Sequence, residues 1–465
     1  MQDSSQGIDQ QPMSSNYTTD PTAVADLVRE DAVHRDVYVS SELFDLEMAH
    51  LFRETWVFVG HDSQVINPGD FTTTEIGREP VIMIRDAQDV VQVLLNRCAH
   101  KGAKLLSAPN GNVRSVLRCP YHGWTYELDG SVKFIPLRNG YDGTGLEQSS
   151  AVKGMTRLPN VVNYRGFVFA RLSAEGISFE DYFGESLSSI DNMVDRSPAG
   201  RLEIAGGVFR YMHNCNWKLF VENLNDNMHP MVAHASSAGV AKDLWARESV
   251  ALQGDEESSP VAKPMVIEQF EPFAAGYEFM DNMGVKICGN GHSYGGANFS
   301  IHSGYSEIPD YDEAMLAAYG EDRTKEIFSV NRHNTVYYPT LTIKGAIQAI
   351  RIARPISVDK TLIESWTFRL VGAPDELLDR TLTYSRLINS PTSVVGHDDL
   401  HCYRAIQEGL TTTANPWVSL HRGHDAQEAQ RLDEVFNGTN EISMRGQFQA
   451  WRAQMLAGMA KVDNN

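Results

Sequence analysis

Two thiolates and two imidazoles stand close together in NRCAHKGAKLLSAPNGNVRSVLRCPYHGWTY, as Cys98-x-His100 and Cys119-x-x-His122. Such a set can hold one tetrahedral zinc ion. It can equally hold a [2Fe-2S] cluster in which the thiolates bind one iron and the imidazoles the other. Spacing alone does not separate the two, but the surroundings favour the cluster. Gly102 and the run Pro120-Tyr121-His122-Gly123-Trp124 let two short loops meet tip to tip, with small and aromatic residues around the sulfides. Imidazole ligands raise the potential of such a cluster and suit it to accept and pass on single electrons.

A second set lies downstream. NCNWKLFVENLNDNMHPMVAH carries Asn223, Asp226, His229 and His234, and VVGHDDLHCYRAIQEGL carries Asp398 and Asp399. Two imidazoles and one carboxylate on one face of a metal leave positions open for dioxygen at a non-haem Fe(II). A separation of five residues places the two histidine side chains about 140° apart on a regular helix. Pro230 predicts a bend or widening of the helix just after His229, which would bring His234 round. For this stretch taken alone, core histidines or a solvated helix face are equally good readings, and an Asp pair is by itself more often a helix cap. Asn223 is a candidate for the open side of the metal, or for satisfying a helix backbone.

Taken together, C-x-H, C-x-x-H-G-W, the D-x-x-H-x-x-x-x-H run and the late Asp pair resemble the large (alpha) oxygenase subunit of Rieske non-haem iron aromatic-ring-hydroxylating dioxygenases. The 18 residues between His100 and Cys119 exceed the commonest form slightly, and the excess is assigned to the SAPNGN turn. The likeness runs from about residue 40 to 460, where RGQFQAWRAQM resembles the closing helix of those subunits. It implies an α+β protein, a small all-β Rieske domain inserted into a helix-grip catalytic domain of antiparallel sheet and helices.

The resemblance also implies the roles. Cys98, His100, Cys119 and His122 hold the [2Fe-2S] cluster. His229, His234 and Asp399, the second acid of the pair, hold a mononuclear Fe(II), while Asp398 sits at a helix cap. Asp226 bridges His229 to His122 of the partner subunit, which demands a ring, a homotrimer of alpha subunits with or without beta subunits. NAD(P)H acts only indirectly, through a flavin reductase and/or a ferredoxin, and O2 and an aromatic substrate meet at the iron, typically for cis-dihydroxylation. A Rieske monooxygenase or demethylase would share every ligand. A Rieske electron carrier would need only the first ligand set, and a helix-grip binding protein without chemistry would carry no second iron.

The elements expected to position these residues follow from the hydrophobic pattern. Residues 40–58, around DLEMAHLFRETWVF, read as an amphipathic entry helix belonging to the catalytic domain. Residues 59–174 hold short β-branched runs between Pro-Gly, Asp-Gly and Asn-Gly turns, the small β domain. Residues 175–465 form the catalytic domain, with helices over 179–194, 217–231, 376–387, 399–409 and 445–461. The glycines of GNGHSYGG do not follow a strand and open a helix, so this chain has no dinucleotide fingerprint of its own.

Composition narrows the partners. In 465 residues, Lys and Arg number 40 against 60 Asp and Glu, a net charge of -20, which excludes nucleic acid as a natural ligand and suits a partner with a basic rim. Five cysteines form no disulfide framework and point to a reducing, cytoplasmic setting. Residues 1–20 have neither a basic start nor an apolar core and read as a disordered tail, and no run of about 18 apolar residues is present to enter a membrane. Met228, Val232, Ala233, Ile388, Val394 and Val395 are candidates for an apolar slot. Arg351, Arg354 and Arg386 are candidates for a substrate carboxylate or for ordinary ion pairs.

Overall fold

The computed structural model describes residues 16–252 and 263–462. The chain enters the small β domain by the strand Val57–His61 and leaves it by Phe167–Arg171, and these two pair antiparallel, with Asn160–Tyr164 completing a three-stranded sheet. Entry and exit lie side by side, so the domain is an insertion. Between them a four-stranded sheet runs in the order Val91–Leu95, Glu79–Arg85, Asp70–Ile76, Asn110–Asn112. A second sheet of three very short strands includes Leu117–Arg118 and Thr125–Tyr126. Ile82, Ile84 and Leu94 pack with Trp124, Tyr126 and both Cys98 and Cys119 in one core, so the sulfurs are part of the domain interior.

The catalytic domain is built on a seven-stranded antiparallel sheet: β1 Leu202–His213, β2 Val285–Gly289, β3 His292–Gly295, β4 Asn334–Tyr337, β5 Leu341–Lys344, β6 Ala349–Ser357 and β7 Lys360–Leu370, in the order β1-β7-β6-β5-β4-β3-β2. Because side chains alternate along a strand, the register divides the sheet into two unlike faces. Ile343, Ile350, Ile352, Trp366 and Phe368 share the outer face and join Phe58, Phe167 and Phe169 at the root of the inserted domain. Thr342, Lys344, Arg351, Ser365 and Thr367 share the inner face, which grips helix α1, Trp217–Asn225. Phe220 of α1 lies under the Arg351 guanidinium, 5.4 Å from its ring centre.

The entry helix differs from the expectation. Helix runs from Ser41 to Leu46, widens into a π-turn over Glu47–Leu51, resumes for Phe52–Glu54 and gives way to strand at Val57. The apolar residues at its end are buried on both sides, which a sheet interior satisfies and an amphipathic helix does not. The tail also differs from residue 16 on: Tyr17 is buried and donates to Asp36 Oδ2 at 2.8 Å, and Asp20 caps the helix Pro21–Ala25. The rest of that expectation, residues 1–15, lies outside the described residues.

The π-turn delivers Glu47 into the interior, fully buried. Its carboxylate accepts from Trp217 Nε1 at 2.8 Å, from Trp451 Nε1 at 2.8 Å and from the buried Lys218 ammonium. Trp451 belongs to the last helix, Ile442–Val462. That helix crosses the π-turn so closely that a Cβ on Gly458 would come within 2.4 Å of the His50 Cβ. Burial pulls the Lys218 ammonium down, and Glu47 opposes that pull. Removing one partner of such a pair strands the other charge. Lys218→Met should therefore cost about 3 kcal/mol or more in chemical denaturation, and the double replacement Glu47→Gln with Lys218→Met should cost less than the single one.

Candidate functional site

The two cysteine loops are built alike. Cys98 N–H donates to Ala103 O at 2.8 Å while Gly102 N–H returns to Cys98 O at 2.9 Å. Cys119 N–H donates to Trp124 O at 2.8 Å while Gly123 N–H returns to Cys119 O at 3.2 Å. Each turn closes only because its glycine sits in the left-handed region, with φ of 73° and 70°. His100 stacks on Trp124 at 5.2 Å and meets His122 edge-on at 4.7 Å. Tyr126 OH accepts from Ala99 N–H at 3.1 Å, leaving its own proton for Cys98 Sγ at 3.0 Å.

These residues fit an iron–sulfur cluster. Both sulfurs are buried, and His100 Nδ1 is buried with no protein partner, an expensive state for a polar atom unless a ligand takes it up. Burial lowers the His100 pKa, with His122 adding to the effect, a shift toward the neutral imidazole that binds metal. His122 is exposed beside Tyr121, itself 64% exposed, so the imidazole side of the cluster site faces outward.

At the second site the helix break comes earlier than expected. Helix α1 ends at Asn225, Asp226 is extended with φ −100° and ψ 113°, and a new single-turn helix, α2 Pro230–Ala233, begins after His229. Pro230 therefore opens a helix, where its missing N–H costs nothing, rather than bending one. His234 follows at the end of that turn with φ −102° and ψ 8°, which brings the two imidazoles to 5.4 Å between ring centres.

The acid pair is also not at a cap. Helix α3, Val394–Gly409, is capped by Ser393, whose Oγ accepts from Gly396 N–H at 2.9 Å, and Asp398 and Asp399 lie inside it. Consecutive helical residues point about 100° apart, so the two acids reach different places. Asp399 Oδ1 lies 3.4 Å from His234 Nε2 and 3.7 Å from His229 Nε2, whereas Asp398 Oδ2 lies 3.3 Å from His234 Nδ1. One donor atom from each of His229, His234 and Asp399 falls within 4.8 Å of the others, a set able to hold one metal ion. Asn223 Nδ2 closes the group, 3.0 Å from His229 Nε2 and 3.2 Å from Asp399 Oδ1.

The electrostatics suit a cation. Burial raises the Asp399 carboxyl, but its hydrogen bond with His234 and the nearby His229 outweigh this and leave it lowered. Burial pulls His234 down, yet Asp399 and Asp398 leave it raised; His229 is lowered by burial despite Asp399 and Asp226. His229 Nδ1 is buried without a hydrogen-bond partner, 3.9 Å from Asp226 Oδ2.

Asp226 Oδ1 accepts from Met228 N–H at 2.7 Å and from Arg422 Nη2 at 3.2 Å. Arg422, which also donates to Thr439 O, escaped the sequence reading because no motif surrounds it. Of the apolar candidates, Ile388 and Val395 are buried in the hydrophobic cluster that also holds Phe273 and Tyr384, Val232 is 74% exposed, and the Val394 side chain lies outside the described residues. Of the arginines, Arg354 is on the outer face, bound to Glu364 at 3.3 Å, and Arg386 is exposed. Arg351 alone of the three lies on the inner face. A surface-open cleft of about 340 Å³, lined in part by Ala274, Ser300 and Ile301, lies beside Phe273 and His302, and Phe273 stands 6.5 Å from the His234 ring.

A two-metal oxygenase is the class that such a fold and site define. Residues 55–149 match the Rieske [2Fe-2S] domain, and residues 203–458 match the ring hydroxylating alpha subunit (catalytic domain). The chain belongs to the ring-hydroxylating oxygenase alpha subunits, oxidoreductases that carry a Rieske cluster and a mononuclear iron. It is 29% identical to the 2-halobenzoate 1,2-dioxygenase large subunit of Burkholderia cepacia, over 87% of this chain and 85% of that protein. It is 30% identical to the toluate 1,2-dioxygenase alpha subunit of Pseudomonas putida, over 81% and 78%. A naphthalene 1,2-dioxygenase variant bound to phenanthrene shares the fold with a TM-score of 0.73 at 21% identity, over 95% of both chains. No helix among the described residues is long and apolar enough to cross a membrane.

A carboxylate on the far nitrogen of a metal-bound imidazole orients the ring and raises its basicity. Asp398→Asn should keep the fold and the cluster spectrum and weaken the hold on mononuclear iron by about 10-fold to 100-fold, read as iron retained against a competing chelator.

Proposed function

We propose that the chain is a terminal oxygenase that adds both atoms of O2 to an aromatic ring as a cis-dihydrodiol. His229, His234 and Asp399 would hold the mononuclear Fe(II), and Cys98, His100, Cys119 and His122 the cluster. What carries the reading is the convergence of two imidazoles and one carboxylate beside the polar inner face of the sheet, in a chain that also holds the Cys2His2 loops. When bound, the two metal groups supply stepwise electrons and activated dioxygen; the electrons originate at NAD(P)H and arrive through a separate flavin reductase and/or a ferredoxin.

The protein's own residues then have definite tasks. Asp398 holds the His234 ring from behind, so that Nε2 faces inward. Asn223 keeps a polar donor at the metal's edge, within reach of His229 and Asp399. Asp226, its carboxylate steadied by Arg422, is the catalytic link to His229 and, across a subunit contact, to the exposed His122 of the partner subunit. That contact requires a homotrimer, with or without beta subunits, working in the cytoplasm beside its reductase. The substrate is a ring that bears an acid group, as halobenzoate and toluate do among the relatives.

Asp399→Ala should abolish mononuclear iron and product while sparing the cluster's low-g EPR signal; iron kept in Asp399→Ala but lost in Asp398→Ala would reverse the assignment. Asp226→Asn should keep cluster, iron and trimer but lose nearly all turnover, and rapid cluster reoxidation linked to product in a single turnover would rule out the bridge. Isotopic labelling with 18O2 separates two incorporated atoms from the single atom of a monooxygenase.

A further inference from the structure

The inner face of the sheet is buried yet polar, which is the reverse of what a packed core requires. Thr342, Lys344, Ser365 and Thr367 are each 5% exposed or less, and their neighbours Ala349 and Ala353 are small. Around this region His302 Nε2, His333 Nδ1 and Ser365 Oγ are buried with no protein partner. Arg351 makes no ion pair or side-chain hydrogen bond among the described residues, although Arg354, three places on, is tied to Glu364 on the other face. Lys344 has a single neutral partner, Tyr384 OH at 3.1 Å.

Both cations are close to the metal ligands by independent routes. Arg351 stacks on Phe220, and Phe220 and Asn223 are neighbours on α1 at i and i+3, about 5–6 Å between Cβ atoms. From Lys344 the contacts run through Tyr384 to His302 at 5.4 Å, to Phe273 at 6.5 Å, and to His234 at 6.5 Å. The Asp399 carboxylate reaches both by its charge but forms an ion pair with neither, so a half-buried guanidinium and a buried amine share one carboxylate that also belongs to the metal-ligand set, and a ligand carboxylate would be favoured beside them.

We propose that Arg351, with Lys344 beside it, binds the carboxylate of the aromatic substrate and so sets which ring carbons face the iron ligands. The planar guanidinium matches a carboxylate in two hydrogen bonds, and Lys344 adds a third donor. Burial, aided by Arg351, lowers the Lys344 pKa well below its ordinary range, while Asp399 opposes that shift. The assignment rests on reading this space as the site of an oxygenase for aromatic rings, and binding is measured apart from turnover so that the two can fail separately.

The test uses benzoate and benzamide, which match in size and differ in charge, with calorimetric binding to the purified holoenzyme. The parent should bind benzoate at least ten-fold more tightly than benzamide. In Arg351→Gln, and independently in Lys344→Met, that ratio should fall toward one, and Arg351→Lys should recover part of it, with cluster absorbance reporting that each variant is folded. A parent with no preference for benzoate, or a preference that survives in both Arg351→Gln and Lys344→Met, overturns the assignment. Preference for benzoate without hydroxylated product, when reductase and ferredoxin are supplied, upholds the carboxylate site and counts against the oxygenase reading alone.

Discussion

One buried carboxylate ties together three stretches of chain that are far apart in sequence. Glu47 comes from the segment before the inserted domain, Trp217 and Lys218 from the helix that leads to the iron ligands, and Trp451 from the closing helix. Two indole N–H groups and an ammonium satisfy the carboxylate where water cannot. The consequence is positional: the first turn of α1 cannot slide or rotate, so its last turn, with Asn223, is held against His229 and Asp399. A hydrophobic contact of the same area would stabilise as well, but it would not fix rotation about the helix axis in the same way.

The sheet on which α1 lies has reversed the ordinary use of its faces. Its outer face takes the apolar residues because it meets the root of the inserted domain, where aromatic side chains from both sides interlock. Its inner face carries the polar residues, and it is there that α1 packs, with Phe220 under Arg351. The arginines three residues apart on one strand show how sharp this division is. Arg354 serves the outer surface through Glu364, while Arg351 faces inward near Phe220. Two-residue alternation places neighbouring odd and even positions in different environments, so Arg351 and Arg354 cannot share a role.

The two metal sites rely on different kinds of order. The cluster loops are local: each cysteine and its glycine, four residues on, close a turn through their own backbone. The iron site is assembled from two separate helices and the turn between α1 and α2, and its geometry depends on how those helices are phased. Arg422 adds a further distant segment by steadying Asp226.

This difference decides how much could be read without the structure. Cys98, His100, Cys119 and His122 could be singled out as candidate ligands because residues within a short loop are constrained by the chain itself, and the glycines that permit the two turns stand in the sequence. His229 and His234 were legible as a pair for the same reason, though the break was expected after His229 and lies at Asp226. The two-domain α+β plan followed from the change of hydrophobic period along the chain. The resemblance had already named Asp399 over Asp398, but tertiary structure alone showed Asp398 standing behind His234 rather than at a cap, because that turns on the rotation of α3 and not on residue type. It alone separated Arg351 from Arg354 and Arg386, and it alone showed Glu47 and Arg422 at work. Such choices depend on register and helix phase between segments hundreds of residues apart, and these are set by packing, which no local pattern encodes.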